Sequence, residues 1–302
     1  MNQRLQETPL IRSVHRCPLA VYPLFCLIVQ YAVVAQHPAR AESAPIRVMS
    51  FNVRHGDAED GENHWDKRLD LVATVIDAFQ PDVLGTQETV AVQATFLKER
   101  LKNYIYVGRG RNAAPPELDE QCAIFIRRDR FDLVDSGHFW LSESPDVPGS
   151  KSWDSSLPRM VTWARVKDRK TESLIVFANT HFDHRGRVAR AKSAELLRKY
   201  VERWSPSARI VVTGDFNARE GSDPYNTLFA TDDGPLLVDT YRKVHPDRKP
   251  NEGTVSRFTG KPSDHRIDWI AVGPDWKVTS ADVIRWHQDG RYPSDHYPVT
   301  AV

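Results

Sequence analysis

LIVFANTHFDHRG, residues 174–186, runs from an apolar stretch into His181, Asp183 and His184. β-Branched and aromatic residues in a run of this length read as a buried strand, so the polar cluster falls at a strand end. Two kinds of site want imidazole and carboxylate side by side: a zinc claw and a pocket that handles phosphate. In an alternating strand His181 and Asp183 share a face while Phe182 points into the core. His184 then points away and is expected to cap the helix that follows. Which site this is depends on the partners the rest of the chain offers.

The same pattern recurs elsewhere. IRVMSFN (46–52) ends on Asn52 and VLGTQE (83–88) on Glu88, RIVVTGDFN (209–217) ends on Asp215 and Asn217, and RIDWIAV (266–272) carries Asp268. Amphipathic stretches lie between several of these runs. WDKRLDLVATVIDAF (65–79) puts Leu69, Val72, Val75, Ile76 and Phe79 on one helical face, and RVARAKSAELLRKYVERW (187–204) does so with Ala194, Leu197, Tyr200 and Val201. Pro81 and Pro206 close the two helices. CAIFIRR, FDLVDSGHFWL and MVTWARV, within residues 122–166, alternate like antiparallel strands with one wet face. The mixture is not strictly β-α-β. It predicts two facing sheets with helices outside, an α/β sandwich whose polar strand ends converge on one rim.

The first 41 residues differ from the rest. Arg4, Arg12 and Arg16 precede the apolar run CPLAVYPLFCLIVQYAVVA, and small residues follow, with ARA at 39–41 and Ala35 as candidate cleavage points. That is the pattern of an export signal, and Pro18 and Pro23 argue against a membrane span. Residues 1–41 are therefore expected to be a cleaved signal peptide and 42–302 a single catalytic domain, periplasmic or extracellular. Cleavage takes four of the 41 Lys and Arg and one of the 40 Asp and Glu, leaving a near-neutral chain. Cys122 is then the lone thiol, so the fold rests on its core rather than on disulfides. A near-neutral chain lacks the broad basic surface of a tight duplex binder. Arg109, Arg111, Arg127 and Arg128 could still form a local phosphate-facing patch, or simply solvate a loop.

Taken singly, Asn52, Glu88, His181, Asp183, Asp215, Asn217, Asp268, Asp295 and His296 have plain explanations as turn residues and caps, Glu88 among them as a cap for the helix starting near Thr89. Their joint placement after strand-like runs argues for convergence. Several carboxylates within a few ångströms repel unless a cation neutralises them. Carboxylate and amide oxygens with few nitrogens suit a hard cation, Mg²⁺ or Mn²⁺. Such an ion polarises a phosphoryl oxygen, histidines donate to its neighbours, and a carboxylate orients water. A zinc hydrolase centred on His181, Asp183 and His184 is the alternative, with His245, His265, His287 or His296 as further ligands. It lacks a histidine at Asn179 and leaves GDFN (214–217), RIDWI (266–270) and SDHYPV (294–299) unexplained.

SFNVR (50–54), GTQE (85–88), NTHFDH (179–184), GDFN, RIDWI and SDHYPV, in that order, resemble the endonuclease/exonuclease/phosphatase superfamily with its DNase-I-like fold. DGENHWDKR (60–68), residues 139–164 and HFDHRGRVARAKSAELL (181–197) look like an exported bacterial branch of it. The resemblance implies a four-layer α-β-β-α sandwich and divalent-metal phosphoester hydrolysis. By motif, Glu88 and Asn52 would hold the metal with Asp295 nearby, Asp215 would activate or orient water, and Asn217 would hold the phosphate. His296 would be polarised by Asp268, and His181 would stabilise the pentavalent phosphorus. The base, Asp215 or His296, stays open. GRGRNAAPPELDEQ (108–121) departs from the family pattern and is expected to line the substrate entrance with Arg109, Arg111 and Glu120. Of two SDH triplets, 263–265 is taken as loop and 294–296 as catalytic. The ester could come from a nucleic acid, a phospholipid headgroup, a sugar phosphate or an inositol phosphate. A non-catalytic binder of a phosphorylated ligand is a further alternative. No protein partner is implied, and a monomer is expected.

Overall fold

The computed structural model describes residues 45–112, 119–230 and 236–302. The expected leader and its cleavage points lie outside the described residues. In chain order the strands are β1 (Val48–Asn52), β2 (Val83–Thr89), β3 (Tyr104–Val107), β4 (Gln121–Arg127), β5 (Phe131–Trp140) and β6 (Met160–Asp168). They continue as β7 (Leu174–His181), β8 (Arg209–Asp215), β9 (Val238–Asp239), β10 (Asp268–Val272), β11 (Ala281–Val283) and β12 (Val299–Ala301). The α-helices are α1 (Leu69–Phe79), α2 (Ala91–Arg100), α3 (Arg187–Trp204), α4 (Asp223–Phe229) and α5 (Thr240–Val244).

Two sheets result, one ordered β11-β12-β1-β2-β4-β3 and the other β5-β6-β7-β8-β10-β9. Each holds one parallel pair, β1 with β2 and β7 with β8, and its other pairs are antiparallel. A parallel pair needs a crossover, and α1 and α3 supply the two. Alternation along the strands then builds three apolar layers. Val48, Val83, Ile124 and Ile126 meet Val166, Phe177, Val211 and Ile270 between the sheets. Met49, Phe51, Leu84 and Phe125 pack with Val72, Val75 and Ile76 of α1 and with Leu97 of α2. Val176, Ala178, Ile210 and Val212 pack against Ala194, Leu197 and Val201 of α3. This is the four-layer α-β-β-α sandwich read from the sequence.

The helix expected over 65–79 begins only at Leu69, after a 3₁₀ turn at Trp65–Lys67. Arg68 causes the break. Its buried guanidinium donates to the carbonyls of Val53 (2.6 Å), Arg54 (2.9 Å) and Pro293 (2.9 Å), and its backbone is not helical. Those contacts bind together the loops that follow Asn52 and precede Asp295. α3 spans the expected residues, but His184 does not cap it. Asp154 does, accepting from the amides of Val188 (3.2 Å) and Ala189 (2.6 Å).

The inner layer changes character along its length. Its facing residues read Val48–Ser50–Asn52 on β1, Phe177–Asn179–His181 on β7 and Val211–Thr213–Asp215 on β8, from apolar to neutral polar to chemically active. Asn179 ties the sheets together. Its Nδ2 donates to the carbonyls of Thr86 (2.8 Å) and Ala123 (2.9 Å), and its Oδ1 accepts from Gln87 Nε2 (2.7 Å) and Thr213 Oγ1 (3.0 Å). Gly85 permits the close approach, because a Cβ there would collide with Thr213 Oγ1 and lie 2.8 Å from Asn179 Oδ1. Asn179→Ala strands several buried polar groups, and a stability loss of about 3 kcal/mol is expected. Gly85→Val overpacks the same point and is expected to lose about 2–3 kcal/mol. Urea unfolding at pH 7 measures both, and losses below about 1 kcal/mol would deny that the sheets are joined here.

Candidate active site

Asp215 lies at the polar end of the inner layer, almost fully buried. Strand register puts it in a row, with His181 beside it on β7 and Asp268 beside it on β10. Each member is followed by an aromatic that points into the outer core, Phe182, Phe216 and Trp269. Phe182 meets Phe216 edge-on at 5.0 Å, and Phe216 stacks on Trp269 at 4.5 Å. The row therefore stands on a rigid floor.

Asp215 Oδ2 accepts from Asn52 Nδ2 at 3.0 Å and lies 3.4 Å from His181 Nε2 and 3.9 Å from His296 Nδ1. Its Oδ1 accepts from the Asn217 amide at 2.9 Å. Burial pushes the carboxyl up, but His181 and His296, helped by these donors, outweigh it and hold Asp215 below the usual range. Asp268 is raised to about 6 by its burial and by Asp215, although His296 opposes this. Burial lowers His296, yet Asp268, 2.9 Å from Nδ1, lifts it well above an ordinary histidine. Asp295 is likewise raised, by burial first and by Glu88.

The facing sheet contributes Glu88. A β-bulge between Thr86 and Thr89 and a left-handed backbone (φ 59°) aim its side chain across the gap. Glu88 Oε1 accepts from Asn52 Nδ2 (3.0 Å) and Oε2 from the His55 amide (2.8 Å). It does not cap α2, where Gln93 accepts from the Val90 amide instead. Asn217 is also left-handed (φ 47°). Its Nδ2 donates to the Phe182 carbonyl at 3.0 Å and lies 3.0 Å from His181 Nε2. Strained backbone at two such positions is characteristic of functional sites.

Among the described residues, ligand atoms of Glu88, His181 and Asp215 lie within 4.8 Å of one another, and so do those of Asp215, Asp268 and His296. With two carboxylates, the first set suits a hard cation better than a thiophilic one. Asn52, expected as a ligand, instead turns its Nδ2 to both carboxylates (3.0 Å each), and its Oδ1 accepts from the Arg54 amide (2.9 Å). Cys122 cannot compete, because burial pushes its thiol up to about 12. Asp295, expected beside the metal, belongs to neither set, and its Oδ2 lies 4.0 Å from Arg54.

The family model for the endonuclease/exonuclease/phosphatase family matches residues 49–296. The chain belongs to this family. Among solved structures it is similar to an endonuclease/exonuclease/phosphatase family protein of Bacteroides thetaiotaomicron, with 33% identity, a TM-score of 0.77 and coverage of 85% of this chain and 96% of that one. A mannosyl-6-phosphatase of the same organism gives 32% identity and a TM-score of 0.77, covering 85% and 99%. Mouse nocturnin is 26% identical, and the match spans 84% of this chain but only 63% of nocturnin.

Four expectations need correction. Asp183 does not share the face of His181, because β7 ends at His181 and alternation ends with it. Both Asp183 oxygens are engaged by the amides of Ser156, Leu157, Arg185 and Gly186 and by the Ser156 hydroxyl. With His184 turned to Arg159 (3.0 Å), the proposed zinc trio is not assembled. Glu120 and Arg111 are not an open rim. Glu120 is buried, 2.6 Å from Arg111, 3.7 Å from Arg159 and 3.5 Å from His181 Nδ1. Arg109 lies over the Trp140 ring at 5.4 Å, whereas Arg127 and Arg128 sit at the far end of β4, beside Asp129 and Tyr104, so no single patch forms. Residues 113–118 of the expected entrance loop lie outside the described residues. Asp264 and His265 are exposed loop residues, as read.

Burial alone would raise Glu120, but His181, Arg111 and Arg159 hold it at about 2. A carboxyl depressed in the fold contributes stability above its unfolded pKa, and that contribution fades as pH falls through the folded value. The contribution is about 3 kcal/mol at neutral pH. Glu120→Gln should therefore be less stable at pH 7, with the gap closing between about pH 4.5 and pH 2. Urea unfolding across this range tests it, and a gap independent of pH would refute the pairing.

Proposed function

We propose that this protein is a divalent-metal-dependent phosphoester hydrolase acting on small phosphomonoesters of the sugar-phosphate class. One observation carries the reading: a single ionised carboxylate, Asp215, is approached by Asn52, His181 and His296 from three different strands and loops. Glu88 and Asp215, positioned by the Asn52 amide that donates to both, would hold Mg²⁺ or Mn²⁺, which when bound polarises the phosphoryl oxygen and offsets charge in the displacement.

The protein's own groups divide the remaining work. Asp215 is kept ionised, so it orients the attacking water and takes its proton. His296 is kept protonated by Asp268 and donates to a non-bridging phosphoryl oxygen. Groups pushed in opposite directions within one site are the mark of an acid and a base. His181, backed by Glu120, offers a second imidazole on the other side of Asp215. Asn217 holds its amide beside His181 without adding negative charge near a phosphate.

The preference for small monoesters is supported by the similarity to the mannosyl-6-phosphatase over almost its whole length. It also accords with a near-neutral chain whose Arg127 and Arg128 stand away from Asp215. Every group invoked comes from one chain, so a monomer suffices. The N-terminal pattern supports export, with residues 42–302 as the mature domain in the periplasm or outside the cell.

With Mg²⁺ or Mn²⁺ the mature protein should release phosphate from mannose 6-phosphate faster than it cleaves bis-p-nitrophenyl phosphate or DNA, and EDTA should abolish turnover. Glu88→Ala and His296→Ala should each lower kcat by about 10²–10³-fold while remaining folded. EDTA-resistant turnover, or full activity in both folded variants, would defeat the proposal. Mass spectrometry of protein from the native host should find a new N-terminus after Ala41 or Ala35, and an intact Met1 would contradict export by cleavage.

A further inference from the structure

His184 and the loop that faces it have no part in the chemistry above, yet they are built as carefully as the catalytic row. Asp183 is fully buried, and its carboxylate clasps two loops at once. Oδ2 accepts from the Ser156 amide (3.0 Å), the Ser156 hydroxyl (2.6 Å) and the Leu157 amide (3.3 Å). Oδ1 accepts from the amides of Arg185 (2.9 Å) and Gly186 (2.7 Å). Burial opposes its charge, but these donors hold Asp183 below the usual carboxylate range. Residues 153–157 are thereby fixed against 183–186, two positions beyond His181.

Arg159 continues the wall inward. It is only 4% exposed, with Nη1 3.7 Å from Glu120 and Nε 3.7 Å from Asp183. Its Nη2 lies 3.0 Å from His184 Nδ1. A guanidinium has donors and no acceptor, so His184 Nδ1 must accept. The imidazole is then neutral, with its proton on Nε2. Partial desolvation and the Arg159 charge also keep His184 below an ordinary histidine. His184 is exposed, so this N–H faces solvent, three residues from His181.

Trp153 is the second feature. It is half-buried and has φ 56°, a conformation costly for a bulky residue. Among the described residues its ring stacks on no aromatic or cation, and its indole N–H has no partner. Three residues from Ser156, it stands within about 10 Å of the Asp183 clasp.

We infer that His184 and Trp153 form the subsite for the leaving group, taking a neutral, hydroxyl-bearing ring such as a hexose beside the phosphoryl group. The inference rests on the hydrolase reading and names the residues that select its substrate. A neutral N–H pairs with a hydroxyl or ring oxygen. An indole face packs against the apolar C–H face of a sugar ring.

The test compares D-mannose 6-phosphate with ethyl phosphate, which carries no ring and no hydroxyl. His184→Ala should raise KM for mannose 6-phosphate about five- to tenfold, with kcat kept within about twofold. Both constants for ethyl phosphate should stay within about twofold of the unmodified protein. His184→Gln, which restores an N–H donor, should recover most of the loss. Trp153→Ala should act in the same direction as His184→Ala, and Trp153→Phe should resemble the unmodified protein. Equal losses on both esters, or no loss on either, would overturn the subsite. If the unmodified protein turns over neither ester, the hydrolase reading fails first and takes this inference with it.

Discussion

Like charges forced together govern this structure. Asp215 and Asp268 are paired in register on adjacent strands, Glu88 reaches toward them from the opposite sheet, and Asp295 lies close to His296. Carboxylates so placed repel, and burial sharpens the repulsion. The protein offsets it locally with donors: the Asn52 amide between Glu88 and Asp215, and His181 and His296 on either side of Asp215. The remaining imbalance is what a hard cation would relieve.

Holding repelling groups in place requires a stiff support. The aromatic floor of Phe182, Phe216 and Trp269 lies under the row, and the Asn179 tie fixes the spacing between the sheets. Left-handed backbone at Glu88 and Asn217 persists because the surrounding ladder and packing determine it. Arg68 acts from outside, gathering three loop carbonyls near Asn52 and Asp295. Its burial depresses the guanidinium to about 10, a cost that these carbonyls and that of Asn63, four acceptors in all, help to bear.

Much of this could be read from the chain, because the strands that carry the site are regular. Alternation marks Asn52, His181, Asp215 and Asp268 as inner-facing ends, and the boundaries of α3 follow from periodicity and Pro206. The misreadings fall where regularity stops. Asp183 looked like a partner of His181 only if β7 continued, and it does not. Glu120 looked like a loop residue, since only Arg111 is near it in the chain, and Arg159 and His181, which complete its company, come from distant segments. The same applies to Arg68, which interrupts an otherwise convincing helical pattern for the sake of contacts as far away as Pro293.

The central claim is that Asp215 and Glu88, contributed by different sheets, hold one hard cation between them. Titration of the mature protein with Mn²⁺, followed by electron paramagnetic resonance, addresses this without any substrate. One tight site per chain is expected in the unmodified protein, and Asp215→Asn should lose that site while keeping its fold. Equal Mn²⁺ binding by the folded variant would contradict the claim.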